Sequence, residues 1–160
     1  CNSLYYGLPK YLLKDLKLVM NRAARLITGV SPRERITPVL IDLHWLPIKA
    51  RIEYKISVMT HQALQSGKPE YLRNLLETFH HDTTMELRHD ADPYRLYEPR
   101  NNLDMGCRAF ARCAPRMYNK LPSDIKGCAR IDIFKKKLKT YLFKEVYDFN
   151  GMEIKDNYRC

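Results

Sequence analysis

The hydrophobic positions of this 160-residue chain mostly recur every three or four residues, which is the spacing expected of α-helices. The clearest segment runs from Pro9 to Ile27. Pro is favoured at the first helical position, and Gly29 can end the helix in a left-handed conformation. One face carries the apolar side chains of Leu12, Leu16, Met20, Ala23, Ala24 and Ile27. We expect this face to pack into the core.

Further helical segments follow in the first half of the chain. Thr37 and Pro38 predict the start of a short second helix, with Thr37 as its N-cap. A third helix is predicted over 48–65, and Gly67 follows it. Its apolar stripe consists of Ile48, Ile52, Ile56, Met59 and Ala63. Pro69 begins a fourth, shorter helical stretch.

The second half of the chain is less regular. Residues 80–93 are polar and acidic without periodicity, which predicts a long loop. Residues 94–99 alternate weakly and allow a short strand, and 107–120 look helical but contain Pro115, which predicts two short helices or a kink. A last helix is predicted to begin at Asp132 as N-cap. Its apolar positions are Phe134, Leu138, Tyr141, Leu142 and Val146.

The fold class that follows is mainly α. A small helical bundle is expected over 1–79 and a loop or linker with a possible short strand over 80–105. A mostly helical C-terminal module is expected over 106–148. The tail over 149–160 has no packing signal.

The charge of the chain is unevenly distributed. Lys and Arg number 28 against 18 acidic residues, for a net charge of +10. Residues 1–68 hold eleven basic and four acidic side chains, 69–99 three and seven, and 100–160 fourteen and seven. Two basic regions separated by an acidic one predict contact with a phosphate backbone at two places. A surface that merely keeps the protein in solution is the alternative.

The basic side chains concentrate on two helices. In the first helix the face opposite the apolar one carries Lys10, Lys14, Lys17, Asn21, Arg22 and Arg25. A basic helix face is often only a solvated face, but here acids are missing except for Asp15 at the edge. A second basic patch consists of Lys135, Lys136, Lys137 and Lys139. We therefore expect these residues to bind nucleic acid, with Lys14, Lys17, Arg22 and Arg25 as the main phosphate contacts.

Nothing in the sequence indicates an independent active site. There is no glycine-rich phosphate-binding motif and no close pair of aspartates of the kind that holds two catalytic metal ions. Candidate zinc ligands are His80, His81, His89, Cys107, Cys113 and Cys128, but their spacing differs from that of structural zinc sites. We expect no catalytic residues, no metal site and no cofactor in this chain.

Cysteine usage and hydropathy bear on the cellular compartment. The five cysteines form an odd set without close pairs, which favours reduced thiols in an intracellular protein. No apolar run is long enough for a membrane-spanning helix, so a membrane partner is not expected.

The only tryptophan, Trp45, follows His44 between two predicted helices. We interpret the pair as a structural corner, in which Trp45 fixes the angle between the helices and His44 makes a buried hydrogen bond. Stacking of Trp45 on a nucleic-acid base is the alternative.

Several stretches between residues 1 and 143 carry a resemblance to a known family, among them N-R-A-A-R-L-I-T-G at 21–29, D-L-H-W-L-P at 42–47 and A-P-R-M-Y-N-K-L-P at 114–122. In this order they resemble the C-terminal region of LINE-type, non-LTR retrotransposon reverse transcriptases of the jockey-like lineage. The resemblance spans nearly the whole chain. Tyr118 stands where the family pattern has Trp.

The resemblance implies a thumb domain over 1–79 whose helices hold primer and template, an RNA–DNA hybrid, followed by a further module. The palm and fingers domains of the parent polymerase would lie before Cys1, and that polymerase would use Mg²⁺. The chain itself would then be a non-catalytic part of an RNA-directed DNA polymerase, found in the nucleus or the cytoplasm. A helical protein-interaction or structural domain from a decayed or domesticated element is the alternative.

Overall fold

The computed structural model describes residues 2–78, 92–100 and 105–147, and in these ranges the protein is mainly α-helical, as predicted. Short 3₁₀ segments lie at Asn2–Tyr5 and Gly106–Arg108. The α-helices are α1 (Lys10–Thr28), α2 (Ile36–Asp42), α3 (Ile48–Ser66), α4 (Glu70–Arg73), α5 (Phe110–Asn119), α6 (Ser123–Lys126) and α7 (Ile131–Val146). Residues 80–91 of the loop predicted over 80–93, with its three histidines, and the tail over 149–160 lie outside the described residues.

Gly ends the two longest helices, as the sequence predicts, whereas Pro9, predicted as the first helical residue of α1, lies just outside the helix with ψ of 149°. Pro9 precedes the first residue of α1, and Gly29 follows its last with φ of 70°. The N–H of Gly29 donates to the carbonyl of Arg25 at 2.8 Å, so the left-handed residue satisfies a carbonyl of the last turn. Gly67 follows α3 with φ of 66°.

Several predicted boundaries need correction. Thr37 and Asp132 are not N-caps, because both lie inside their helices. Helix α2 begins at Ile36 and α7 at Ile131. The fourth helix is a single turn. Helix α5 continues through Pro115, which is buried together with its neighbours Cys113 and Ala114. Their burial offsets the one backbone hydrogen bond that Pro cannot donate.

The short strand that the sequence allowed over 94–99 does not form. Within the described residues the segment makes a single antiparallel bridge, between Leu96 and Thr78. The other side of Leu96 is bound by one side chain, because its N–H donates to Oδ1 of Asn119 and its carbonyl accepts from Nδ2, both at 2.9 Å. An amide side chain thus takes the place of a neighbouring strand.

The first compact unit comprises residues 1–54 and 139–160. Its core joins α1, α2 and the residue that follows α7 through the buried side chains of Met20, Ala24, Val39, Leu40 and Tyr147. The unit is discontinuous in sequence, whereas the division predicted at 80–105 is linear. That linear division stays a prediction.

The second compact unit comprises residues 55–138. Its core lies around His61 of α3, Tyr118 of α5 and Phe134 of α7, all buried. The last two-thirds of α3 is buried on most sides, since its buried residues are Ile56, Ser57, Val58, Thr60, His61 and Ala63.

The core-facing side of α1 differs from the predicted one. Leu13, Met20 and Ala24 are buried, whereas Leu12 and Ile27 are exposed. The buried line is therefore turned by about 50° around the helix axis from the predicted face. The reason is that the apolar sector of α1 is wider than one neighbour can cover, and α2 packs against only one side of it.

Candidate nucleic-acid interface

Three exposed lysines, Lys10, Lys14 and Lys17, follow one another along α1 and are called the lysine line below. Residues three or four apart on a helix have Cβ atoms about 5–6 Å from each other. The only acidic residue of α1, Asp15, lies roughly 100° around the axis from Lys14. The lysine line is therefore a regular row of positive charges with no carboxylate within it.

Arg22 and Arg25, the two arginines of α1 that the sequence predicts as phosphate contacts, are not part of the lysine line. Arg22 is exposed but lies roughly 80° around the axis from Lys14. The guanidinium of Arg25 donates to two backbone carbonyls, from Nη2 to Glu34 at 2.8 Å and from Nε to Ser31 at 3.3 Å. Arg25 therefore holds the segment between α1 and α2, a role that its position in a cationic sequence pattern does not reveal.

The second predicted patch lies on α7, where Lys135, Lys136, Lys137 and Lys139 are all exposed. Their positions spread over about 200° of the helix surface, so they do not form one line. Lys137 also donates to the carbonyl of Asp124 at 3.3 Å. The patch offers positive charge without the regular row seen on α1.

His44 and Trp45 form the end of α2. His44 has φ of 51°, its N–H donates to Ile41, and the N–H of Trp45 donates to Leu40. These two bonds are those of a Schellman cap, in which His44 takes the left-handed position usually held by Gly. His44 is exposed, so the predicted buried hydrogen bond is wrong. Its Nδ1 lies 3.1 Å from the carbonyl of Asp42 at the surface.

Trp45 is anchored by Arg51 of α3 and by Tyr147, the residue that follows α7. Its carbonyl accepts a hydrogen bond from the hydroxyl of Tyr147 at 2.8 Å, and the guanidinium of Arg51 lies 5.4 Å from its ring centroid. Burial raises the pKa of Tyr147 to about 12, with the charge of Arg51 acting in the opposite direction. The indole packs against the core of the first unit, a placement that matches a corner more than a stacking platform.

A buried ion pair in the second unit has no counterpart among the predictions. The side chain of Lys126 is 1% exposed, and its Nζ donates to Oδ2 of Asp92 and, at 3.2 Å, to the carbonyl of Asn119. It also lies 5.9 Å from the ring centroid of Tyr118. Partial burial acts to raise the pKa of Asp92, but the hydrogen bonds from Lys126 and from the N–H of Tyr94 outweigh it, so this pKa is lowered.

His61 is the other polar group that the sequence did not single out. It is fully buried, its ring stacks on Phe134 with centroids 3.8 Å apart, and its Nδ1 lies 3.0 Å from the hydroxyl of Tyr118. Nε2 makes no hydrogen bond of normal geometry. Burial lowers the pKa of His61, although the backbone of Cys128 is close enough to oppose this effect. The partners lie far away in sequence, so no local pattern marks this site.

The lowered pKa of His61 predicts acid sensitivity. The unfolded chain takes up this proton near the ordinary pKa of 6.5, whereas the folded protein does so only at a lower pH. The free energy of unfolding should therefore fall as the pH drops below 6.5, by at most about 1.4 kcal/mol per pH unit. Urea unfolding at several pH values measures this slope. His61→Gln should remove it, and a slope that persists in this variant would assign the effect to other groups.

A metal site requires an arrangement in which several ligand side chains come together. In the ranges that the structure describes, no three His, Cys, Asp or Glu residues come together. Cys107, Cys113 and Cys128 are free thiols there, and burial raises the pKa of Cys113 to about 11. None of the helices described is long and apolar enough to cross a membrane.

No protein-family model, no curated protein and no solved structure is significantly similar to this chain.

Proposed function

We propose that the chain is a non-catalytic nucleic-acid-binding part of a retrotransposon-type RNA-directed DNA polymerase, in which α1 contacts the phosphate backbone of the primer and template. The observation that carries the proposal is the lysine line. Its three lysines are exposed residues at intervals of four and three positions, with no acidic residue on the same face of α1.

A row of lysines is suited to contacts with the phosphate backbone of a nucleic acid and not to recognition of its bases. Lys presents a flexible point charge that releases counterions when it approaches a phosphate. Contacts of this kind position a protein on a duplex without distinguishing its bases. Binding should therefore be largely independent of sequence and should weaken steeply with salt.

The wider setting of the proposal rests on the three strings at 21–29, 42–47 and 114–122. They suggest that palm and fingers domains of a longer polymerase, with its Mg²⁺ ions, are the other partners of this chain. An RNA–DNA hybrid in the nucleus or the cytoplasm would then be the ligand. The exposed lysines of α7 would supply a second, weaker contact.

The test is a salt titration of binding to an RNA–DNA hybrid with Lys10, Lys14 and Lys17 replaced by Gln. Each lost phosphate contact lowers the salt slope by about 0.9, so the triple variant should lose up to about 2.7 of the slope. Its affinity at moderate salt should fall by about tenfold or more. Fluorescence anisotropy with a labelled hybrid measures both quantities.

A matched control removes the same charge elsewhere. Lys55, Lys68 and Arg130 are exposed and lie outside α1, so their replacement by Gln changes the net charge equally. This variant should keep most of the affinity. Equal losses in the two variants, or an affinity that stays flat as salt rises, would contradict the proposal.

A protein-interaction role is the second candidate, and exposed apolar side chains on α1 favour it. In that case the triple lysine variant would keep its affinity for the hybrid but lose an acidic protein partner. Arg25 is unsuitable for this comparison, because its replacement would also release the carbonyls of Ser31 and Glu34.

A further inference from the structure

Helix α1 has an exposed apolar row distinct from both its core-facing side and the lysine line. The row consists of Leu12, Leu16, Val19, Ala23 and Leu26, at alternating intervals of four and three residues. This is the spacing of the a and d positions of a coiled coil, kept over two heptads. We call it the α1 seam.

The α1 seam is open to solvent along most of its length. Leu12, Val19 and Leu26 are 48%, 64% and 86% exposed. Leu16 and Ala23 are half-buried at the border with the core. Exposed large apolar side chains occur singly on many proteins, but a row in heptad register matches the surface of a second helix.

We propose that the α1 seam pairs with the α1 seam of a second copy of this chain, with the two helices antiparallel. In antiparallel pairs an a position of one helix packs against a d position of the other. Leu16 then faces Val19 of the second copy, and Ala23 faces Leu12. Two-fold symmetry repeats both contacts, so the pairing contains four apolar layers, with Val19 in two of them. Leu26 lies beyond these layers, against Pro9 at the start of the other helix.

The charges beside the seam fit this register. Asp15 and Arg22 occupy the positions just before Leu16 and Ala23, and both are exposed. In the antiparallel register above, Asp15 of one copy faces Arg22 of the other, and the symmetry forms the same pair a second time. The helix therefore complements itself in charge as well as in apolar pattern.

A parallel arrangement lacks this complementarity. It would place Asp15 and Arg22 opposite the other flank of the seam, where Leu13 and Met20 are buried in the core of their own chain. A lipid surface would have to accommodate the carboxylate of Asp15 next to the inserted side chains, which costs free energy without providing a partner. A second copy in the antiparallel arrangement covers the apolar side chains and provides Arg22 as a partner for Asp15.

Self-association does not compete with the lysine line. Lys10, Lys14 and Lys17 lie about 140–160° around the axis from the middle of the seam. A dimer would therefore expose two lysine lines, one per copy. The dimer does not depend on nucleic-acid binding, and either property can fail without the other.

The first experiment measures mass against concentration by sedimentation with the 160-residue chain. Two short heptads form a small interface, so a weak, concentration-dependent dimer is expected. Replacing Val19 by Ser and Leu26 by Gln should weaken the dimer by at least tenfold, while helix content stays unchanged because both positions are exposed. Lys17→Gln, on the opposite side of α1, should leave the dimer unchanged.

The second experiment exchanges the charges. D15R alone or R22D alone turns two attractive pairs into two repulsive ones, and each should weaken self-association by about tenfold. An equimolar mixture of the two single variants should form a mixed dimer, and the double variant D15R/R22D should associate like the unsubstituted chain. Rescue of this kind identifies the antiparallel register.

Three results would overturn the proposal. They are a monomer at every concentration, a dimer that V19S/L26Q leaves intact, and charge variants that the mixture does not rescue. Binding to vesicles of anionic lipid that V19S/L26Q abolishes, in a chain that stays monomeric, would assign the seam to a membrane surface instead. The hybrid-binding titration separately tests the lysine line.

Discussion

Replacing Asp92 with Ala is expected to lower the free energy of unfolding by about 2–4 kcal/mol. The ammonium group of Lys126 would keep only the carbonyl of Asn119 and the face of Tyr118 as partners, in a site where its side chain is 1% exposed. A buried charge that loses its counter-ion costs much more than the pair itself contributes. Urea unfolding followed by circular dichroism measures the loss.

The control for this prediction is a double-mutant cycle. Lys126→Met removes the charge but keeps most of the apolar stem, and Asp92 is sufficiently exposed to regain water, so this variant should lose only about 1 kcal/mol. The double variant should be more stable than Asp92→Ala alone. Losses that simply add would show that the two charges do not interact.

The pair should also be visible in acid. Because the pKa of Asp92 is lowered, its contribution to stability is present above the ordinary value of 3.8 and is lost as the pH falls below it. The effect of His61 sets in at a higher pH, below its ordinary value of 6.5. The two groups can therefore be separated in one pH series.

Much of the secondary structure could be predicted because its signals are local. Pro9 and Gly29 set the limits of α1, and Gly67 marks the end of α3, since each acts through the backbone of its own turn. The apolar stripe of α7 is also correct, with Phe134 and Leu138 buried. Helix class follows from the periodicity of the short sequence window that forms each helix.

What could not be predicted depends on tertiary neighbours. A helical wheel gives the width of the apolar sector of α1, but only the position of α2 decides which part of it is buried. Likewise Pro115 reads as a helix breaker until the burial around it is known. In both cases packing outweighs a local preference.

The candidate sites likewise divide into features with a local sequence signal and features that depend on tertiary neighbours. The lysine line can be predicted as a row because its residues share one helix. For Arg25, by contrast, the sequence predicts a phosphate contact, and only the fold shows that its guanidinium donates to the carbonyls of Ser31 and Glu34. Lys126 looks like any other surface lysine in the sequence, because its partner Asp92 lies 34 positions away.

The largest single loss of stability is expected for Phe134→Ala. This ring is completely buried between α3 and α5 residues, stacking on His61 at 3.8 Å and tilting against Tyr118 with centroids 6.4 Å apart. Truncating it removes apolar contacts and leaves a cavity, which typically costs about 3–5 kcal/mol. Phe134→Leu should cost less than half as much, because it keeps most of the volume.

The same substitution should change the titration of His61, and this separates a specific stacking role from general packing. Opening one face of the imidazole gives water access to Nε2, which makes no hydrogen bond of normal geometry in the intact protein. The pKa of His61 should then rise toward 6.5, and the acid slope of stability should flatten. The control is Tyr71→Ala, which removes an exposed aromatic ring. It should change the free energy of unfolding by less than about 0.5 kcal/mol and leave the pKa of His61 unchanged. Proton NMR of the imidazole at several pH values measures the pKa of His61 directly. An unchanged pKa in Phe134→Ala would mean that water does not reach Nε2 even without the ring.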